Sequence, residues 1–187
     1  MKKKIIIISI CLLLLFLISI IMYLFYIYDT NLVNPDDITT DKKFKDITYN
    51  QIADSEELEE DVLGILIIDK IGLKAKVKEG SNSNVLKEYI GHIENTAIYD
   101  GNICLAGHNR GYENSYFARI NELKKSDIIT YQTKFYTRQY KVDNIKVILD
   151  TDWSLLQDTE DNKITMITCV ANKQRQRLCV QATEVLE

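Results

Sequence analysis

The sequence predicts a mainly β domain, a barrel or a sandwich, carried behind a single membrane-crossing helix. Two observations support this. Residues 5–28 form one long uncharged apolar run, and from Val62 onward the chain breaks into short β-prone runs with few helical stretches between them.

Taken in order, residues 1–4 read as a cytoplasmic tail. Lys2, Lys3 and Lys4 precede the apolar run, and an excess of lysine and arginine on the cytoplasmic side holds an N-terminus inside. Residues 5–28, IIIISICLLLLFLISIIMYLFYIY, follow without a charge, and about twenty such residues cross the hydrocarbon of a bilayer as a helix. A secretory signal peptide has an apolar core of only about 7–15 residues and ends at a small-residue cleavage site. Neither fits, so residues 5–28 are read as a retained transmembrane anchor, with everything after them extracellular.

Residues 29–61 are polar, lack a sustained apolar period and contain Pro35, the chain's single proline. They read as an extracellular stalk. Asp54 followed by Glu57 has the spacing of a capping box for a short helix. The acidic run from Glu56 to Asp61 fits a solvated surface, with calcium binding as the rarer alternative.

Residues 62–187 form the β domain. Its runs are VLGILII, LKAKVKE, GNICLA, DIITYQ, TRQYKVDNIKVIL, KITMITCV and RLCVQATEV. In TRQYKVDNIKVIL, Tyr140, Val142, Ile145 and Val147 alternate with polar neighbours, as in a half-buried antiparallel strand. Helical patterning is confined to short stretches near 84–89 and 115–124, where Phe117, Ile120 and Leu123 share a face. No internal repeat interrupts this pattern.

The chain has 23 basic and 27 acidic residues, a net charge of −4 that becomes −7 beyond the three N-terminal lysines. A nucleic-acid partner is disfavoured, because phosphate contacts need a basic face. Outside the apolar run there are three cysteines, Cys104, Cys169 and Cys179, an odd number for an exported domain, so at least one is free or pairs with another molecule. Cys104 and Cys179 sit within apolar runs and read as small buried hydrophobes, with a disulfide between them left open.

A cysteine nucleophile needs a nearby acid/base, and the chain offers two histidines, His92 and His108. His108, in LAGHNRG, follows an apolar strand and a glycine, so its imidazole emerges at a strand end, where rigid scaffolds hold catalytic loops. Cys169 closes ITMITC at another strand exit. Arg177 opens RLCVQATEV, and its permanently charged guanidinium offers several donors to a developing oxyanion. Alternatives remain at this stage. Cys104, His108, Cys169 and Cys179 could form a zinc site, although no Cys-x-x-Cys occurs. Papain-like enzymes place cysteine before histidine, and caspase-like ones expect a QACxG-type motif that ITCVAN lacks.

Taken jointly, AGH, then ITC sixty-one positions later, then RLCV near the end, resemble the histidine, TLxTC and arginine motifs of the sortase family in their family order. DVLGILIIDKIGLKAKVKEG is similar to the paired opening strands of sortases, and YFARINELKKSDIITY to the segment after their catalytic histidine. The resemblance covers Val62 to Glu187. Its one departure is Met166 where the family usually has leucine, a nearly volume-conserving change.

The resemblance implies an eight-stranded β-barrel with short helices, in which Cys169 attacks the threonine carbonyl of an LPxTG-like sorting signal and forms a thioester. It implies that His108 protonates the leaving amine and then deprotonates an incoming one, ordinarily from a peptidoglycan precursor, while Arg177 steadies the oxyanion. Thr168 is expected on the substrate side and His92, in the turn-like YIGHIENT, in a structural or substrate-side role, and no metal or cofactor is expected, with calcium dependence left open. A bell-shaped pH profile is expected from the thiol and imidazole pair. No C-terminal span and no Asp-Pro-aromatic lid are visible, and the 150–163 linker is short for a helical insertion. A class A-like or class D-like enzyme that anchors surface proteins to a Gram-positive cell wall is therefore expected ahead of a pilus-assembling one. The alternative of another class is a catalytically silent, membrane-tethered β domain that binds wall components.

Overall fold

The computed structural model describes residues 12–25, 58–110 and 112–186. The expected tail at 1–4 and most of the stalk, including Asp54 and Glu57, lie outside them. The chain divides into two units, one up to Val33 and one from Asn34 onward.

In the first unit, residues 12–25 form helix α1, an apolar segment with exposed side chains. The Ser19 hydroxyl satisfies itself within the helix by donating to the Phe16 carbonyl at 2.8 Å. Among the described residues no helix is long and apolar enough to cross a membrane. The expected span over 5–28 extends past the described helix at both ends.

The second unit contains eight strands: β1 (Val62–Ile68), β2 (Leu73–Glu79), β3 (Ile90–His92), β4 (Asn102–Ala106), β5 (Ile128–Gln132), β6 (Thr137–Leu149), β7 (Lys163–Val170) and β8 (Lys173–Glu184). They close into a barrel in the order β1-β2-β3-β4-β7-β8-β6-β5, with β5 returning to β1. Closure removes the unpaired edges that an open sheet would expose. Two pairs, β2 with β3 and β4 with β7, are parallel, and the other pairs are antiparallel.

The core of the barrel is filled by apolar residues of the runs that predicted the strands. Leu66, Ile68, Val77, Ile103, Leu105, Ile129, Tyr131, Tyr140, Met166 and Val180 are all fully buried. The expected helical stretches are shorter than their patterning suggests. A single turn, α2 (Ser83–Leu86), is capped by Asn82, whose side-chain oxygen accepts from the amides of Asn84 and Val85. The 115–124 segment contains only a 3-10 turn at Ile120–Glu122. Phe117, Ile120 and Leu123 are nevertheless buried together, so the apolar spacing reported burial and not helix length.

One strand escaped the sequence reading. β3 has three residues, too few to show an alternation, and its register comes from β2, which pairs Val77, Lys78 and Glu79 with Ile90, Gly91 and His92. Gly91 is required there, because a Cβ would collide with the Gly80 carbonyl oxygen. The acidic residues before β1 meet the lysines of β2: Glu59 pairs with Lys76 at 2.7 Å and Asp61 with Lys78 at 2.6 Å. This part of the acidic run has ion-pair partners, and no group of three or more His, Cys, Asp or Glu is placed to hold a metal among the described residues.

A buried polar network fixes the long β6–β7 connection to the barrel. The Asn102 amide donates to the carbonyls of Leu155 and Gln157 at 2.9 and 2.8 Å, and its oxygen accepts from the Thr165 hydroxyl at 2.7 Å. The Gln181 amide donates to Thr165 and to Leu155, each at 3.0 Å. Buried amides cost free energy unless paired, so the network holds the connection at one place over the start of β4.

Candidate active site

Strand β4 ends at Ala106, and Gly107 and His108 leave it beside β7, where the Gly107 amide donates to the Ile167 carbonyl at 3.3 Å. Gly107 packs flat against Phe117, whose ring would lie 2.8 Å from any added Cβ. The chain then folds back, and the Phe117 amide donates to the His108 carbonyl at 2.9 Å. The backbone of His108 is therefore held from both sides.

Cys169 is the penultimate residue of β7 and the exposed member of a strand whose other residues are buried or half-buried. Directly opposite it on β8 is Arg177. The register then slips: Val170 faces Lys173, so Gln174, Arg175 and Gln176 have no partner on β7. Such irregularities re-aim side chains beside functional sites. Here the Arg177 guanidinium donates to two nearby carbonyls, Gln174 at 2.8 Å and Gln176 at 3.0 Å. The far end is tied across to the His108 loop, with the Asn109 side-chain amide donating to the Cys169 carbonyl and Arg110 reaching Asn172 at 3.4 Å.

His108, Cys169 and Arg177 line one cavity of about 360 Å³. Its walls are apolar, with Leu86, Ile93, Leu149, Trp153, Leu156 and Ile167 among them, and Asp150 and Asp152 stand on the β6–β7 side. A cleft with apolar walls, a thiol, an imidazole and a guanidinium suits an extended peptide whose carbonyl reaches the sulfur. Burial pushes the His108 imidazole below the ordinary histidine value. Its Nε2 is buried with no hydrogen-bond partner among the described residues, and the ring is stacked on Tyr112 at a centroid distance of 3.9 Å and 11° between planes.

The other cysteines are elsewhere. Cys104 and Cys179 are free thiols inside the barrel wall, and burial pushes each up to about 12. They do not form the disulfide left open above, and the zinc arrangement weighed from the sequence is not assembled, since Cys169 alone of the three is exposed.

Thr168 borders the cavity, but its hydroxyl donates to the Gly107 carbonyl at 2.7 Å and the residue is buried, so its visible role is to lock β7 to the end of β4. His92, expected in a turn with a structural or substrate-side role, lies in β3 and is 1% exposed. Its Nδ1 faces the Glu79 carboxylate at 2.7 Å, and its Nε2 lies 2.9 Å from the Ala97 carbonyl and 3.0 Å from the Thr96 hydroxyl. With both ring nitrogens engaged and the ring enclosed, His92 braces the β3–β4 connection and does not border the cavity. The sequence reading missed Asn109, Tyr112, Asp150, Asp152 and Trp153. Only the first two had a local signal, their closeness to His108.

The family profile described as the sortase domain matches residues 66–185. Sortase A of Bacillus anthracis is 28% identical over 137 residues, covering 73% of this chain and 65% of that protein. Sortase A of Listeria monocytogenes is 30% identical over 109 residues, 58% of this chain and 49% of that one, so the chain aligns with about half to two thirds of the length of these relatives. Among solved structures, a Clostridium perfringens sortase D5 transpeptidase superposes with a TM-score of 0.62 at 32% identity, covering 70% of this chain and 83% of that one.

Proposed function

The chain belongs to the sortase family, and from that premise we propose that it is a cysteine transpeptidase, anchored in the membrane by residues 5–28, that joins LPxTG-like proteins to an amine of the cell wall. The observation that carries this reading is the strand register that sets Cys169 against Arg177, with His108 leaving the neighbouring strand end into the same cavity.

The chemistry follows from these positions. The Cys169 thiolate adds to the threonine carbonyl of the sorting signal, and the negative charge that develops on that oxygen is stabilised by Arg177, once its donors turn from Gln174 and Gln176 toward the substrate. The tetrahedral species collapses as His108 delivers a proton to the departing amine, leaving an acyl thioester on Cys169 and a neutral imidazole. An incoming amine then gives its proton to His108 and attacks the thioester. The new amide is released and the thiolate and imidazolium are restored, so atoms and protons balance over the cycle. The apolar walls keep water from competing for the thioester. The reading of an extracellular catalytic domain rests on the uncharged run 5–28 and on Lys2, Lys3 and Lys4 before it.

The test is to incubate residues 31–187 with a panel of LPxTG-like peptides and an amine acceptor, with and without calcium, and to follow products and adducts by mass spectrometry. Cleavage after threonine with a thioester on Cys169 is expected, abolished in Cys169→Ala and lowered on the order of 10²-fold or more in His108→Ala and Arg177→Ala. Absence of both cleavage and adduct across the panel would favour a tethered binding domain instead.

A further inference from the structure

The His108 ring is the one side chain of the three whose surroundings the family motifs leave unexplained. Four observations bear on it. Tyr112 lies parallel to the imidazole at 3.9 Å and 11°, a face-to-face stack. Tyr112 is itself held by Ser115, which is fully buried, donates its hydroxyl hydrogen to the Tyr112 carbonyl at 2.8 Å and accepts from the Tyr112 amide at 3.3 Å. The next anchor, Phe117, bonds back to the His108 carbonyl. The fourth observation is the buried, unpartnered Nε2. Among the described residues none accepts a hydrogen bond from Nε2, so at that nitrogen the hydrogen-bonded orienting group that accompanies many catalytic bases is absent.

We propose that Tyr112 is the positioning residue for His108, its ring taking the place of a hydrogen-bonded orienter by fixing the imidazole plane and keeping water off one face. The inference rests on the transpeptidase reading for its catalytic meaning, but its physical content is a property of the folded chain alone. A stacked ring restricts rotation of the imidazole without taking up a nitrogen as donor or acceptor. Withholding water disfavours the charged ring, in line with the depressed titration of His108. The other titratable or charged groups that share its cavity are Cys169 on β7, Arg177 on β8 and Asp150 and Asp152 on the β6–β7 connection, with Arg110 beside it turned to Asn172.

Tyr112 is 39% exposed, so its replacement should leave the barrel folded. The experiment compares Tyr112→Ala, Tyr112→Phe and the parent by two readouts: the NMR titration of the His108 ring in a Cys169→Ala background, and the pH profile of kcat and KM with a cleaved peptide. Tyr112→Ala should move the His108 titration, and the acid limb of kcat/KM with it, to higher pH, and should lower kcat on the order of tenfold with little change in KM. Tyr112→Phe, which keeps the ring, should behave as the parent in both. An unchanged His108 titration in Tyr112→Ala would overturn the inference, as would an equal effect of the Ala and Phe variants. If the parent cleaves no peptide, the transpeptidase reading fails by itself, and the titration still decides whether Tyr112 controls the imidazole.

Discussion

At the scale of single residues, the sequence exposed the proposed reacting residues and concealed what holds them. His108, Cys169 and Arg177 were legible because each sits where an apolar run meets polar residues, and all three line one cavity. His92 was misplaced because YIGHIENT contains a glycine and polar residues that imitate a turn, whereas the strand is specified by pairing with distant Glu79. The depressed titration of His108 has a direction that can be tested. The folded chain binds this proton less readily than the unfolded chain, so His108 costs no stability well above the ordinary value of about 6.5. The cost appears as pH falls through that value and is complete below the folded value. In the proposed reaction the acid limb of kcat/KM falls below pH ~6.5, because at lower pH the thiol–imidazole pair holds both its protons and the thiolate that starts acylation is lost. A profile measured from pH ~5 to ~10 should be bell-shaped with its acid limb in that position, and a flat profile would refute the thiol–imidazole pairing.

At the scale of elements, the strand ends position the site. β4 was visible as GNICLA and β7 as KITMITCV, with Cys169 one residue from the strand's end. The beginning of β8 was hidden: it starts at Lys173, four residues before Arg177, in the polar stretch KQRQ that carries no β signal of its own. Those residues are strand because β6 pairs with Gln176 and Arg177, and because a bond from the Asp150 amide to the Arg175 carbonyl continues the ladder. Tertiary pairing thus overrides local propensity there. Gly107 has the opposite character, a residue chosen for what it lacks. Gly107→Ala would press a methyl group into the Phe117 ring and should cost about 1–3 kcal/mol by overpacking. The strain lies one residue from His108, so turnover should fall along with the thermal midpoint. Thermal unfolding and peptide cleavage measured on the same preparation check both effects.

At the scale of the whole β unit, closure of the barrel depends on two parallel pairs that bring sequence-distant strands together. The alternation pattern could announce strands but not their order, since period and burial are the same for a sandwich and a barrel. The Asn102 network lay equally beyond the sequence, because its members are spread over β4, β7, β8 and the β6–β7 connection. Its consequence is mechanical: the connection that carries Asp150, Asp152, Trp153 and Leu156 to the cavity is fastened at Leu155 and Gln157. Asn102→Ala removes donors from both carbonyls and the acceptor from Thr165, and should destabilise the fold by about 2–4 kcal/mol. Loosening one wall should also raise KM for peptide more than it lowers kcat, which steady-state kinetics below the unfolding transition would reveal.

The burial of Cys104 and Cys179 has a chemical corollary. A soft electrophile diffusing up to the folded barrel meets a single accessible sulfur, because the other two thiols are shielded by packing and are reluctant to ionise. Alkylation of the intact barrel is therefore confined to one atom. A stoichiometric covalent inhibitor or a spectroscopic tag can be installed at Cys169 with the remaining cysteines left in place.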